Sequence, residues 1–211
     1  MNVYDDTPAG RLGKAAERLV RADYLRRGCY VLDAYAIREG GAPLFTAPDG
    51  RRLRVPDLLL AKAHIPRWVE VKCKRRPVLY QRTRQWRTGI GVPQWNDYLQ
   101  IEGETGIAGW LAMLHLQRGP ETGLDPILLE ASFAELRRHA ITNDTPFPGE
   151  PHGMVFWPTT VFDAHPLTLG IDGTALPNLT LIVHPWERTA GDGRAPGMPV
   201  KGEHAEQEPL F

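Results

Sequence analysis

Apolar residues recur at helical spacing near the start of the chain, and a strand-forming segment follows them. Leu12, Ala16 and Leu19 are four and three residues apart, so they fall on one face of a helix. Gly28, just after this pattern ends, is a typical helix stop signal. The sequence therefore predicts a first helix over residues 9–27 and a strand over the β-forming residues 29–37.

Alternating apolar and polar positions predict most of the next elements. These are a hairpin over residues 45–60 with its turn at Pro48-Asp49-Gly50 and its outgoing strand at 52–60, and a strand over 67–74. A basic loop over 75–92, with some helix as the alternative, a helix over 93–104 and a buried strand over 107–116 follow. Because side chains alternate along a strand, Glu70 and Lys72 share one face of residues 67–74, while Val71 points to the other.

The predicted element order is α-β-β-β-α-β, which indicates an α/β fold with a mixed central sheet flanked by helices. We assign this core to residues 1–118. An α+β extension packed on the core is predicted over residues 119–185, with strands at 126–130, 154–163 and 179–184 and a short helix from Ser132 to Ala140. Residues 186–211 are rich in glycine, proline and charge and are predicted to form a flexible tail.

Composition narrows the class of protein. The chain has 211 residues, 42% of them hydrophobic, which is enough to bury a core. No apolar run approaches the ~20 residues of a membrane span, and the acidic, polar start is unlike a signal peptide. A cytoplasmic protein without membrane contact is therefore the expectation. Cys29 and Cys73 form no metal-ligand pair or disulfide framework, and Cys73 is predicted to be a reduced core residue.

The net charge of zero conceals an uneven distribution of charge. Residues 1–90 contain 19 Lys and Arg against 9 Asp and Glu, a balance of +10, and residues 91–211 have a balance of −10. Residues 67–87 carry eight basic side chains and one acid, Glu70. Such asymmetry suggests that the first half binds a polyanion, although basic residues also merely solvate helix faces. Trp68, Tyr80 and Trp86 could stack on bases or pack locally.

Two acids and a lysine on consecutive predicted strands suggest a chemistry. Asp57 follows Pro56 on one strand, and Glu70 and Lys72 lie on the next. Carboxylates suit Mg²⁺, which one or two acids anchor while the ion keeps several waters. Asp57 and Glu70 would bind the metal, and the Val71 carbonyl would complete its shell. Lys72 would orient or deprotonate the attacking water, or offset phosphate charge.

These residues resemble the PD-(D/E)XK nuclease superfamily. The match consists of Pro56-Asp57, a step of thirteen residues, and Glu70-Val71-Lys72, and it spans roughly residues 10–118. Gly13 and Glu17-Arg18 on the first helix are similar to archaeal-type Holliday junction resolvases. The resemblance implies a restriction-endonuclease-like fold, a supporting catalytic role for Glu17, and Mg²⁺-dependent cleavage of branched, recombination, repair or replication DNA, with Mn²⁺ as a substitute metal.

Further residues follow from the same resemblance and from charge. The expected nucleic-acid-binding residues are Lys14, Lys74, Arg75, Arg76, Arg82, Arg84 and Arg87. Tyr98 and Gln100 on the second helix match loosely the positions that face the site in this superfamily, although a tyrosine there is also typical of a core. The seven histidines show no metal-ligand spacing, and His115 on an apolar strand is predicted to be a core residue. Paired cuts generally need two active sites, which favours a homodimer.

The last five residues, Gln207-Glu208-Pro209-Leu210-Phe211, resemble the pentapeptide that binds the bacterial sliding clamp. A mobile tail would leave such a peptide accessible, with Leu210 and Phe211 in an apolar pocket and Gln207 hydrogen-bonded beside it. The alternative is that Leu210 and Phe211 pack against the domain.

Two other functions remain open from the sequence. A restriction or defence nuclease would use the acidic second half to recognise a partner or a DNA sequence. A non-catalytic DNA-binding accessory protein would keep the fold, but such proteins typically lose one of Asp57, Glu70 and Lys72.

Overall fold

The computed structural model describes residues 7–34, 44–116, 127–143 and 151–167. Its helices are α1 (Pro8–Arg26), α2 (Val92–Thr105) and α3 (Phe133–His139). Its strands are β1 (Tyr30–Asp33), β2 (Leu44–Thr46), β3 (Arg52–Arg54), β4 (Leu58–Lys62), β5 (Ile65–Lys74), β6 (Val78–Tyr80), β7 (Gln85–Gly91), β8 (Gly109–His115), β9 (Ile127–Ser132), β10 (Ile141–Asn143), β11 (Met154–Pro158) and β12 (Asp163–Pro166). None of the helices in these ranges is long and apolar enough to cross a membrane.

The main sheet has six strands in the order β1-β4-β5-β8-β9-β12. Strands β5 and β8 are parallel, and every other pair in this sheet is antiparallel. A parallel pair needs a crossover connection, which α2 supplies on the way from β5 to β8. Read along the chain as α1, β1, β4, β5, α2 and β8, the core confirms the predicted α-β-β-β-α-β order and the mixed sheet.

The two faces of the main sheet are covered by different elements. Helix α1 packs Leu19 and Val20 against Val69 and Val71 of β5 in one apolar cluster. Helices α2 and α3 and a second sheet pack on the opposite face, around Leu111 of β8. Helix α1 begins where the sequence predicts, because Pro8 favours the first helical turn and the Thr7 hydroxyl accepts a hydrogen bond from the Gly10 N–H at 3.0 Å.

The predicted strand over residues 52–60 is wrong, because the structure divides it into two strands. Strand β3 pairs with β2 in a separate two-stranded sheet, while β4 pairs with β1 and β5. Pro56 lies between them, where a residue without an N–H cannot continue a strand ladder. The break is important for the site, since Asp57 follows Pro56.

The predicted basic loop over residues 75–92 is also wrong. It contains the hairpin β6–β7, which joins β10 and β11 in a four-stranded sheet of order β10-β11-β7-β6. Gly89 of β7 obscured the strand pattern, although a glycine is required there. A Cβ atom at Gly89 would lie 2.3 Å from the Val155 carbonyl oxygen of β11.

The second half of the chain contributes to both sheets. Strands β9 and β12 extend the main sheet, and a 3-10 turn at Thr159–Val161 divides the single strand expected over residues 154–163. Helix α3 starts at the expected cap, where the Ser132 hydroxyl accepts a hydrogen bond from the Glu135 N–H at 3.1 Å. The strand expected at residues 179–184, the tail and the clamp-like peptide lie outside the described residues.

Candidate active site

Asp57 is held at the point where β4 begins. Strand β4 starts at Leu58, which pairs with Val69, so β5 runs on past the end of this ladder. The Val71 N–H, beyond that end, donates a hydrogen bond to Asp57 Oδ2 at 2.8 Å. In a β-strand the N–H and the carbonyl of one residue point to the same side, so the Val71 carbonyl also faces the Asp57 side of β5.

Glu70 and Lys72 lie on one face of β5, as the alternation predicts, and form an ion pair through Glu70 Oε1 and the Lys72 ammonium. Glu70 is only 1% exposed. Its second carboxylate oxygen, Oε2, is buried and has no hydrogen-bond partner among the described residues. A buried carboxylate oxygen without a donor is costly, and a bound cation would satisfy it.

Glu17 of α1 belongs to the same electrostatic group. Burial, followed by the negative charges of Glu70 and Asp33, raises the pKa of Glu17 from 4.5 to about 7. Lys72 and Lys14 act in the opposite direction. The structure therefore places Glu17 close to Glu70, which the sequence alone could suggest only through family resemblance.

Asp33 is an acid that sequence reasoning missed. It ends β1 and pairs with Leu58 of β4, so it is a direct neighbour of the chain segment that carries Asp57. The Ala34 N–H donates to the Asp57 carbonyl at 3.0 Å, which fixes the two segments together. The predicted strand over residues 29–37 contained Asp33, but only the register of β1 against β4 brings this acid close to Asp57 and Glu17.

The four acids Glu17, Asp33, Asp57 and Glu70 form an acidic cluster that carries more negative charge than its buried surroundings favour. Burial, followed by the charge of Glu70, raises the pKa of Asp57 well above its usual range. Burial would lower the pKa of Lys72, but the negative charges of Glu70 and Asp57 outweigh it, and the pKa of Lys72 is raised. Both shifts describe a site in which neighbouring carboxylates repel one another and hold any nearby cation.

The donor set fits a hard divalent cation. No group of three or more His, Cys, Asp and Glu side chains placed to hold a metal ion exists among the described residues. The residues that could hold a metal here are Asp57 and Glu70, together with the Val71 carbonyl. Mg²⁺ is commonly held in this way, and the unpartnered Glu70 Oε2 is an available ligand.

Arg54 is a cation near the site that the sequence did not single out. Its positive charge acts to lower the pKa of Lys72, so the two side chains lie close enough to interact. Arg54 ends β3, and its N–H donates to Asp97 of α2 at 3.4 Å. No ion pair between described residues involves its guanidinium. Two cations beside a carboxylate cluster favour the binding of an anion such as a phosphate.

The residues expected to bind nucleic acid differ in exposure. The exposed ones are Lys14, Arg75, Arg76, Arg82 and Arg84. Lys74 is partly buried, and Arg87 is only 9% exposed. The exposed arginines at 75, 76, 82 and 84 lie in the segment that follows β5, so they come directly after the strand that carries Glu70 and Lys72.

The two positions suggested on α2 have other partners. Tyr98 is 1% exposed, and its ring stacks on Phe133 with the ring centroids 6.2 Å apart. Gln100 accepts a hydrogen bond from Arg51 at 3.0 Å and donates one to Glu104 at 3.5 Å.

His115 of β8 is buried and hydrogen-bonded to the Thr88 hydroxyl at 3.0 Å, and burial lowers its pKa to about 4.

Comparisons with known proteins give similarity at the level of fold. No protein-family model and no curated protein sequence matches the chain. Among solved structures, the Holliday junction resolvase Hjc of the archaeal hyperthermophile Archaeoglobus fulgidus is similar, with 14% identity, coverage of 77% of this chain and 99% of that one, and a TM-score of 0.42. A nuclease from a fusselovirus has 10% identity, coverage of 86% and 93%, and a TM-score of 0.38.

Proposed function

We propose that this chain is a metal-dependent endonuclease that hydrolyses phosphodiester bonds in DNA. The observation that carries the proposal is the buried, unpartnered Oε2 of Glu70, beside Asp57 and paired on its other oxygen with Lys72. A fold does not need to bury a carboxylate in this state, since such a group destabilises it unless a cation binds. We infer that the arrangement is kept for function.

Each residue of the site would have a separate role in metal or phosphate binding. Asp57 and Glu70, with the Val71 carbonyl, would hold Mg²⁺ or Mn²⁺, which when bound polarises a phosphate oxygen and makes water a better nucleophile. Lys72 is kept beside Glu70 by their ion pair and would offset negative charge as it develops on the phosphate. Arg54 would bind the same phosphate from the β3 side.

Glu17 and Asp33 would complete the acidic side of the site. Asp33 pairs with Leu58, next to Asp57, and in the metal-free protein the pKa of Glu17 is raised to about 7 by burial and then by the charges of Glu70 and Asp33. A carboxyl group with a pKa near neutrality can take or return a proton at working pH. Glu17 would accordingly act on a water molecule at the site rather than hold the metal itself.

The substrate we propose is branched DNA from recombination, repair or replication, as the resemblance to Holliday junction resolvases implies. The +10 balance of residues 1–90 supports binding of a polyanion. A homodimer would supply two active sites for paired cuts. The peptide ending in Leu210-Phe211 would bind a sliding clamp. If wild type and the Leu210→Ala/Phe211→Ala variant were retained equally on immobilised clamp, clamp binding by this peptide would be rejected.

The central test is cleavage by the Glu70→Gln variant. Labelled junction, nicked, single-stranded and duplex DNAs are incubated with Mg²⁺, Mn²⁺ or EDTA. We expect wild type to cut at least one of them with metal, and Glu70→Gln to lose at least about 100-fold in rate, because a metal ligand is neutralised. Glu104→Gln, an exposed acid on α2, is the matched control and should cut like wild type. Failure of wild type to cut any substrate with either metal would reject the proposal.

A further inference from the structure

The β6–β7 hairpin forms one edge of the four-stranded sheet and ends in a four-residue loop, and Arg87 of β7 also pairs with Pro158 of β11. Three residue pairs form it: Val78 with Arg87, Leu79 with Trp86, and Tyr80 with Gln85. Residues 81–84 make the turn, closed by a hydrogen bond from the Arg84 N–H to the Gln81 carbonyl at 3.3 Å. Arg84 has a φ of 51°, a left-handed conformation that is uncommon for residues other than glycine and occurs in tight turns.

Arg87 holds the loop against the ribbon. Its guanidinium lies over the Tyr80 ring, 4.1 Å from the ring centroid, and donates hydrogen bonds to Thr83 Oγ1 and Gln85 Oε1, each at 3.3 Å. Arg87 is therefore a buried structural residue of the hairpin. Its contacts rigidify the tip, from which Arg82 and Arg84 extend into solvent.

The surface of this hairpin is positively charged without compensation. No aspartate or glutamate occurs between Glu70 and Asp97 in the sequence. No ion pair between described residues involves the exposed arginines at 75, 76, 82 and 84. Two exposed arginines on the helices, Arg26 of α1 and Arg138 of α3, differ in that each pairs with a carboxylate three residues away.

The base of the hairpin is fixed beside the candidate active site. The hairpin starts four residues after Lys74, which itself follows Lys72 on β5. Thr88 of β7 is hydrogen-bonded to His115 of β8, and His115 pairs with Lys74 across the main sheet. The ribbon is thus attached to the end of β5 that carries Glu70 and Lys72.

We propose that the β6–β7 hairpin is a duplex-binding arm, whose tip at residues 81–84 enters the major groove of DNA beside the cleavage site. Beyond the pairing of Arg87 with Pro158, the two pairs Leu79 with Trp86 and Tyr80 with Gln85 give a two-stranded end about 7 Å long at ~3.3 Å per residue, to which the loop is added. The major groove is about 12 Å wide and about 8.5 Å deep and admits a two-stranded ribbon. Arg82 and Arg84 would then reach phosphates and base edges on both sides of the groove.

The chemistry of the tip favours a duplex over a single strand. Proteins that bind single strands present aromatic rings on which bases stack. Residues 81–84 contain no aromatic side chain, the Tyr80 ring is covered by Arg87, and Trp86 is partly buried. The inference deepens the proposed function, because it names the form of DNA that the same site would receive.

The test measures binding of the full chain to a ~30-bp duplex and to the single strand of the same sequence, in EDTA and at several salt concentrations. The variant is Arg82→Ala/Arg84→Asn, since asparagine tolerates the positive φ of position 84. We expect at least a ~10-fold loss of affinity for the duplex, a decrease of roughly 2 in the slope of log K against log salt, and a much smaller loss for the single strand. Arg26→Ala/Arg138→Ala, which removes the same charge from the helices, should bind both like wild type.

Methylation of guanine N7, which blocks the major groove, supplies the second readout. It should weaken binding of wild type and leave the hairpin variant unaffected. The proposed role of the hairpin would be rejected if the variant lost equal affinity for duplex and single strand. It would also be rejected if the hairpin variant bound DNA as tightly as the helix control. The result is separable from the proposed function. If the hairpin variant loses duplex binding but wild type shows no metal-dependent cleavage, the nuclease function is rejected and the DNA-binding role of the hairpin is supported. If cleavage depends on Glu70 but the hairpin variant binds duplex normally, the nuclease function is supported and the DNA-binding role of the hairpin is rejected.

Discussion

Glu17 should make the metal-free protein less stable as the pH rises. A carboxylic acid whose pKa increases on folding binds its proton more tightly in the folded state than in the unfolded state. Stability is therefore full below pH 4.5, the unfolded value, and falls until the pH passes about 7, the folded value. The increase from 4.5 to about 7 corresponds to at most about 3 kcal/mol of unfolding free energy. Burial is its largest cause, followed by the charges of Glu70 and Asp33.

The Glu17→Gln substitution removes this ionisation and keeps the size of the side chain. In EDTA, urea unfolding from pH 4 to 8 should show the two proteins equally stable near the lower limit. At the upper limit, the variant should be more stable by up to about 3 kcal/mol. Mg²⁺ should narrow the difference, because a bound cation offsets the charges that Glu17 faces. Glu104→Gln, on the exposed side of α2, should follow wild type throughout.

One result would refute the reasoning about Glu17. If wild type and Glu17→Gln differed by the same amount at every pH, ionisation of Glu17 would not be the source of the difference, and the acid would lie outside the charged group. A difference that persists unchanged in saturating Mg²⁺, although cleavage occurs, would separate Glu17 from the metal site while leaving Asp57 and Glu70 in it.

Three further substitutions test other parts of the structure. Arg54→Ala should reduce the cleavage rate by about 10- to 100-fold without loss of stability, since a cation beside the phosphate is removed, whereas Arg52→Ala, exposed on the same strand, should cut normally. Tyr24→Phe removes the hydroxyl that donates to the buried Glu130 and should lower unfolding free energy by about 1–3 kcal/mol, with cleavage unchanged; equal urea midpoints would contradict this. Gly89→Ala places a Cβ 2.3 Å from the Val155 carbonyl oxygen and should destabilise the protein by about 1–3 kcal/mol or more, measured by thermal unfolding, while Gly103→Ala, with open space around it on α2, should not.

The sequence could predict the core of the fold because each of its main elements has a local signal. The stripe of Leu12, Ala16 and Leu19 defines α1, and the alternation around Glu70 defines β5, independently of any distant contact. The same alternation placed Glu70 and Lys72 on one face, and the structure agrees. These parts of the site depend only on residues two apart in one strand, which is why they could be read before the fold was known.

The errors occur where distant contacts decide the structure. Gly89 weakens the local strand pattern of β7, yet the close approach of β11 makes a glycine necessary there, so the signal against a strand is a consequence of the strand's packing. Asp33 and Arg54 are ordinary surface charges by sequence. Only the register of β1 on β4, and the separate sheet that carries β3, brings them to the acids.

Pro56 shows how one residue serves both fold and site. Pro56 interrupts the chain between β3 and β4, so the β4–β5 ladder ends at Leu58 and Val69, and the Val71 N–H lies past this last strand pair. That N–H is taken by the Asp57 carboxylate, so Asp57 is oriented by the gap that its preceding proline creates. The Val71 carbonyl faces the same gap and is therefore placed to share a metal with Asp57. A proline followed by aspartate is usually a simple turn. Here the Pro56-Asp57 pair lies at the start of the shorter strand β4, beside the longer strand β5, which carries Glu70 and Lys72, and so places Asp57 next to them.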